Sequence, residues 1–131
     1  MKLLLDTHTF LWYANGDPKM TVTATALLDD PTNELFLSMA SLWEIAIKVG
    51  LKKLALSHPY LAFVTKAING YGLAVLPITV EDCAEYEQLP FPDPQHRDPF
   101  DRMIVTHALR NKMSVVGNDL AFDPYGVTRL W

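Results

Sequence analysis

The chain has almost no cysteine: Cys83 is the only one in 131 residues. A lone thiol excludes an internal disulfide and any cysteine-built zinc cage. Long apolar runs are missing too, since Pro, Gly or a charge interrupts each one well short of the roughly 18 residues a membrane helix requires. The start lacks the apolar core of a signal peptide, because Lys2 is followed by only three leucines before Asp6. A cytoplasmic protein with no membrane association is therefore expected. Positive charge is also scarce. Eleven Lys and Arg against fifteen Asp and Glu leave a net charge of −4, which argues against nucleic-acid affinity from overall charge. Any positive surface must be local or lent by a partner, unless a cation offsets several of the acids.

What is present is globular. Half the residues are hydrophobic and a fifth are charged, and the length suits a single domain, residues 1–131, around one core. No repeat or linker interrupts it. Leu3-Leu4-Leu5 reads as a short buried strand ending at Asp6, followed by a helical stretch through Phe10, Leu11 and Trp12. Thr21 to Asp29 is amphipathic and stops at Asp30-Pro31. Leu35-Phe36-Leu37 reads as the next strand, Ala40 to Val49 as a helix closed by Gly50, and Tyr60 to Ile68 as another helix. Leu73 to Ile78 is strand-like, with Pro77 near a sheet margin. Val80 to Leu89 is helical, and Pro90 to Pro99, with four prolines, is a loop. Asp98 to Asn111 predicts a helix, Met113 to Val116 a strand, and Val127 to Trp131 a last strand. This alternation implies an α/β three-layer sandwich, a mostly parallel five-stranded sheet with helices on both faces.

In such a sheet ligands gather at the carboxyl ends of the strands, where strand order reverses. Asp6, Asp119, Glu44 and the pair Asp98 and Asp101 obey that rule. Asp6 follows the first strand, Asp119 lies just past Val116, Glu44 is in the first turns of the helix after Leu35-Leu37, and Asp98 and Asp101 stand at the start of the helix that feeds Met113. Each also has an ordinary reading: Asp6 as a turn residue, Asp119 as loop chemistry, Glu44 as a paired helix acid. Asp98 and Asp101 can both serve a helix start, with Asp98 as N-cap and Pro99 at the first position. Their shared edge argues for more. Converging carboxylates repel, and without a cation at least one takes up a proton. All-oxygen ligands favour Mg²⁺ or Mn²⁺ over Zn²⁺, and an ion so held suits phosphodiester hydrolysis by in-line attack of water.

Three segments carry a resemblance. Leu3-Leu4-Leu5-Asp6-Thr7-His8-Thr9-Phe10-Leu11-Trp12, Ser41-Leu42-Trp43-Glu44-Ile45-Ala46-Ile47-Lys48 and His96-Arg97-Asp98-Pro99-Phe100-Asp101-Arg102 resemble the PIN-domain family, most closely its VapC-type toxins. The closing Asn118-Asp119, Tyr125 and Arg129-Leu130-Trp131 are similar as well. The resemblance spans essentially the whole chain. It implies a PIN-like fold and a metal-dependent ribonuclease acting on single-stranded or looped RNA, often homodimeric and neutralised by a small antitoxin. By motif position it carries the catalytic and metal-binding roles to Asp6, Glu44, Asp101 and Asp119, with Asp98 as an accessory. One departure is Gly117, where the family commonly has Thr or Ser.

Lesser features follow. His8 adjoins the acids, and Arg97 and Arg102 flank Asp101, so all three are candidates for substrate contact, against packing or a solvated helix start. Among the other histidines, which show no metal spacing, only His96 is near the acids. Lys48, Lys52 and Lys53 read as a solvated basic patch, the three tryptophans as core or interface residues, and Cys83 as a small core residue. Two rivals stand beside the nuclease. A metal-dependent phosphatase with Asp6 as nucleophile would want a second acid two residues on, where His8 stands. A catalytically silent PIN-like binding or regulatory module would be expected to lack an acid, and none is missing.

Overall fold

Leu3, Leu4 and Leu5 have no exposed surface, because their strand, β1 (Lys2–Leu5), is covered on both faces. Successive strand side chains point to opposite sides. Leu3 and Leu5 join an apolar cluster with Phe10, Leu28, Ile45 and Phe63, whereas Leu4 packs with Ile104, Val105, Val115 and Phe122. The computed structural model describes residues 1–131 and builds both clusters on one sheet.

The order along the chain is β1, α1 (Thr7–Asn15), α2 (Val22–Asp29), β2 (Glu34–Ser38), α3 (Met39–Gly50), α4 (Tyr60–Tyr71), β3 (Ala74–Leu76), α5 (Val80–Gln88), α6 (Pro99–Asn111), β4 (Ser114–Val116), a 3₁₀ turn (Leu120–Tyr125) and β5 (Arg129–Leu130). The five strands lie in the order β3-β2-β1-β4-β5, and every pair is parallel. Residues of α1 to α4 form the cluster on one face, and α6 with the chain after α5 forms that on the other. The expected three-layer sandwich is what the chain forms, with a sheet that is parallel throughout.

Local chemistry sets several boundaries. β3 is shorter than the apolar run predicts, ending before Pro77, which has no N–H for a ladder. β5 is only Arg129–Leu130, because β4 offers it just Val115 and Val116 before Gly117. The third helix does not close at Gly50. It takes Gly50 into its last turn, and Lys52 adopts the left-handed conformation instead (φ 58°). α4 runs on to Tyr71 and stops at Gly72, whose φ of 64° suits a residue without Cβ.

Strand order reverses between β1 and β4. Successive strands step from β1 to β2 to β3 in one direction, and β4 returns to the far side of β1. The crevice beyond the carboxyl ends of β1 and β4 is thus the place where this fold exposes ligand-binding groups.

Candidate metal centre

Asp6 sits at that crevice. Its N–H donates to Val116 O of β4 (3.0 Å) and its carbonyl accepts from Phe10 N–H (2.9 Å), so the backbone passes directly from strand to helix. The Asp6 side chain makes no capping hydrogen bond, which leaves the carboxylate buried yet free for another partner. Burial is the main force that raises its pKa, to about 7; the charges of Asp101, Asp119 and Glu44 push the same way, against the Thr7 N–H.

The other three acids reach this carboxylate from three different elements. Glu44, in α3, is 6% exposed. Its Oε2 accepts from Lys48 Nζ at 2.9 Å, and its Oε1 is buried with no hydrogen-bond partner. Beneath it Thr7 donates to the Ser41 hydroxyl (2.9 Å), tying the starts of α1 and α3 together. Asp101 stands in the first turn of α6, and its carboxyl is also raised, first by burial and then by Asp98 and Asp119, while a hydrogen bond from His96 opposes them. Asp119 is exposed and accepts from Ala121 N–H (2.9 Å) at the start of the 3₁₀ turn.

The charges of Glu44, Asp101 and Asp119 thus all act on the buried Asp6 carboxyl. No three Asp, Glu, His or Cys side chains enclose a ready-made ion cage. Mg²⁺ and Mn²⁺ do not require such a cage, since they keep several waters and use few protein carboxylates. The buried, unpartnered Glu44 Oε1 and the raised Asp6 carboxyl, held among other acids, fit oxygen donors for a hard cation. The largest hollow of the surface, about 720 Å³ and lined by Tyr13, Asp29, Glu34 and Gly72, involves none of these acids and lies toward the amino ends of β2 and β3.

Asp98 caps α6: its Oδ1 accepts from Asp101 N–H at 2.9 Å. His8 stands 4.0 Å from Asp6 Oδ2, more than half exposed and stacked on Trp12. Arg97 is exposed, and its Nε donates to Pro94 O (3.0 Å). Arg102 departs from expectation. It is 2% exposed, donates to Leu89 O (2.9 Å) and Pro90 O (2.8 Å), and lies 3.7 Å from the Phe91 ring centre. It pins the proline-rich loop and has no free face for a phosphate. Cys83 is exposed rather than in the core, and Trp43 is 59% exposed, its ring edge against Phe100. Gly117 packs so closely that an added Cβ would meet Asp6 Cβ at 3.0 Å, so the side chain common at this position in the resembled family would crowd Asp6.

Sequence reasoning missed two contributors. His96 bridges Asp101 and Tyr125, which only its place in the proline-rich loop hinted at. Lys48 had a plain signal, since it follows Glu44 by four residues on one helix face.

The PIN domain profile matches residues 3–127. The chain belongs to the PIN domain family. Among solved structures this PIN domain is similar to a chain of VapBC2 from Rickettsia felis bound to a promoter DNA fragment, with TM-score 0.72, 16% identity and coverage of 99% of this chain and 98% of that one. It is also similar to a chain of DNA-bound VapBC from Salmonella typhimurium (TM-score 0.71, 22% identity, 99% and 97% covered). A third likeness is to VapBC-5 of Mycobacterium tuberculosis, a member of a toxin–antitoxin family (TM-score 0.62, 17% identity, 98% of each chain). At these identities the likeness establishes the fold. No relative among curated protein sequences matches this PIN domain. None of its helices is long and apolar enough to cross a membrane.

Proposed function

We propose that this chain is a metal-dependent endoribonuclease of the cytoplasm, the toxin of a type II toxin–antitoxin pair, and that its substrate is single-stranded or looped RNA. The observation that carries the reading is the four-acid group at the β1–β4 switch point, with its orphaned Glu44 oxygen. Asp6, Glu44, Asp101 and Asp119 would hold Mg²⁺ or Mn²⁺. When bound, the ion supplies Lewis acidity that eases loss of a proton from the attacking water and offsets charge on the leaving oxygen. The chain's own part is positioning. Asp98 fixes the start of α6 and so the place of Asp101, while Thr7 and Ser41 lock α1 to α3 and so Asp6 to Glu44. His8 and Arg97, exposed beside the acids, would meet the RNA strand.

The antitoxin is supported by the VapBC neighbours, one of which is named as a member of a family of toxin–antitoxin systems. A homodimer fits the exposed apolar side chains Val22 on α2 and Leu61 on α4. The phosphatase reading loses ground, because the position two past Asp6 holds His8, stacked on Trp12. The test is incubation of purified protein with end-labelled single-stranded RNA and Mg²⁺ or Mn²⁺. Internal cleavage that stops on addition of EDTA is expected. Cleavage undiminished by EDTA would remove the reading, as would inhibition by a zinc-selective chelator alone.

A further inference from the structure

Lys48 is bound to the acid group in a way that a solvated lysine is not. Its ammonium lies 2.9 Å from Glu44 Oε2, the sole partner of a carboxylate whose other oxygen is buried and empty-handed. The charges of Asp98 and Asp101 on α6 also act on the ammonium, more weakly than Glu44 does. The Lys48 side chain is 41% exposed while that of Glu44 is 9% exposed, so the lysine approaches from the mouth of the site.

Two arginines of this region are committed elsewhere. Arg102 is locked to Leu89 O and Pro90 O, and Arg129 to Asp123 and Gly117 O; Arg97 is exposed with one bond, to Pro94 O, and touches none of the four acids. In a chain with net charge −4, Lys48 is a cation in direct contact with one of these acids, where an RNA phosphate bound at the group would lie. Its four-carbon stem can swing, whereas a guanidinium pinned to carbonyls cannot.

We propose that Lys48 acts as a stand-in cation for Glu44 and, once that carboxylate is engaged by a divalent ion, turns to the phosphate of the bound RNA strand. The inference rests on the nuclease reading above and adds a substrate-binding residue to it. Two consequences have opposite signs. Lys48 competes with the divalent ion for one carboxylate, so it weakens metal affinity. It also supplies positive charge to the substrate, so it strengthens turnover of RNA. A lysine that merely stabilised α3 would leave turnover of RNA by the folded protein unchanged.

The experiment compares wild type, Lys48→Met and Lys48→Arg by three readouts: Mn²⁺ titration calorimetry without RNA, melting temperature with and without Mn²⁺, and kcat and KM on single-stranded RNA. Lys48→Met is expected to bind Mn²⁺ several-fold more tightly and to gain more melting temperature from Mn²⁺ than wild type. Its kcat/KM should fall by about tenfold, as for one charge-assisted contact, with a salt dependence shallower by about one phosphate contact. Lys48→Arg should stay near wild type in both. Unchanged or weaker Mn²⁺ binding by a folded Lys48→Met would overturn the inference, as would full kcat/KM. Wild type that binds no Mn²⁺ and cleaves nothing would instead remove the nuclease reading, and this inference with it. Should Lys48→Met fail to fold, Lys48→Gln carries the same expectations.

Discussion

His96 Nε2 lies 3.0 Å from Asp101 Oδ2 while its Nδ1 lies 2.9 Å from the Tyr125 hydroxyl. Tyr125 accepts in turn from Arg102 Nη1 at 3.2 Å. One assignment satisfies the whole chain of contacts: Arg102 donates to Tyr125, Tyr125 donates to Nδ1, and Nε2–H donates to the Asp101 carboxylate. Groups that orient a metal-binding carboxylate typically matter by 10–100-fold. His96→Ala is therefore expected to lower Mn²⁺ affinity by about tenfold or more, and Tyr125→Phe to lower it less. Calorimetry without RNA measures both, and unchanged affinity in His96→Ala would show that Asp101 holds its place without help.

Asp98 and Asp101 separate cleanly. Asp98→Ala loses the cap on α6 and should cost about 1 kcal/mol of stability while leaving cleavage measurable. Asp101→Asn should abolish cleavage and leave the melting temperature equal or higher, since repulsion with Asp98 and Asp119 is relieved. Melting curves and RNA assays on the two variants decide. If Asp98→Ala loses cleavage without losing stability and Asp101→Asn stays active, the roles are reversed.

Arg102 is a structural residue here. Removing its guanidinium leaves Leu89 O and Pro90 O without their donors, at about 1–3 kcal/mol for the buried Leu89 carbonyl and less for that of exposed Pro90. Arg102→Met should lower the urea midpoint strongly yet retain activity per folded molecule at low temperature. Loss of activity with stability intact would restore it as a phosphate contact.

The contrast between these residues shows what was legible in the sequence. Leu3-Leu4-Leu5-Asp6 announces a strand covered on both faces with an acid at its carboxyl end, and the chain builds that. Asp98-Pro99 announces the start of α6 at the right residue, because capping is local chemistry. Arg102 follows no local rule. Its burial depends on carbonyls of Leu89 and Pro90, thirteen and twelve residues earlier, and on the Phe91 ring, none of which a helix-start pattern can reveal. β5 was over-read for a similar reason, since the length of an edge strand is set by the neighbour it pairs with. Lys48 was legible and was hidden by Lys52 and Lys53, which suggested a surface patch.

His107 belongs to the same lesson, and it gives a pH prediction. It is fully buried between the Ser38 hydroxyl (3.0 Å), Asp82 Oδ2 (3.1 Å) and Pro77 O (3.2 Å). Burial would raise the Asp82 carboxyl, but hydrogen bonds from Thr79 and Arg110 and the charge of His107 outweigh it and hold the pKa at about 2. A carboxyl depressed in the folded state adds stability above its unfolded pKa, near 4, and loses it as pH falls through the folded value. Stability should thus decline between about pH 4 and pH 2, with Asp82 contributing on the order of 2 kcal/mol. Asp82→Asn should remove that share of the decline in urea titrations across the window. An equally steep acid decline in the variant would assign the effect to other carboxyls.

Asp6 tests the central claim most directly, because it is buried at the switch point and every other acid of the group acts on it. The measurement is the rate of Mn²⁺-dependent cleavage of single-stranded RNA by wild type and Asp6→Asn, both verified as folded by melting. Cleavage by wild type and none above background by Asp6→Asn, at an equal or higher melting temperature, is the predicted result. Cleavage by Asp6→Asn at the wild-type rate would contradict a metal centre built on this acid.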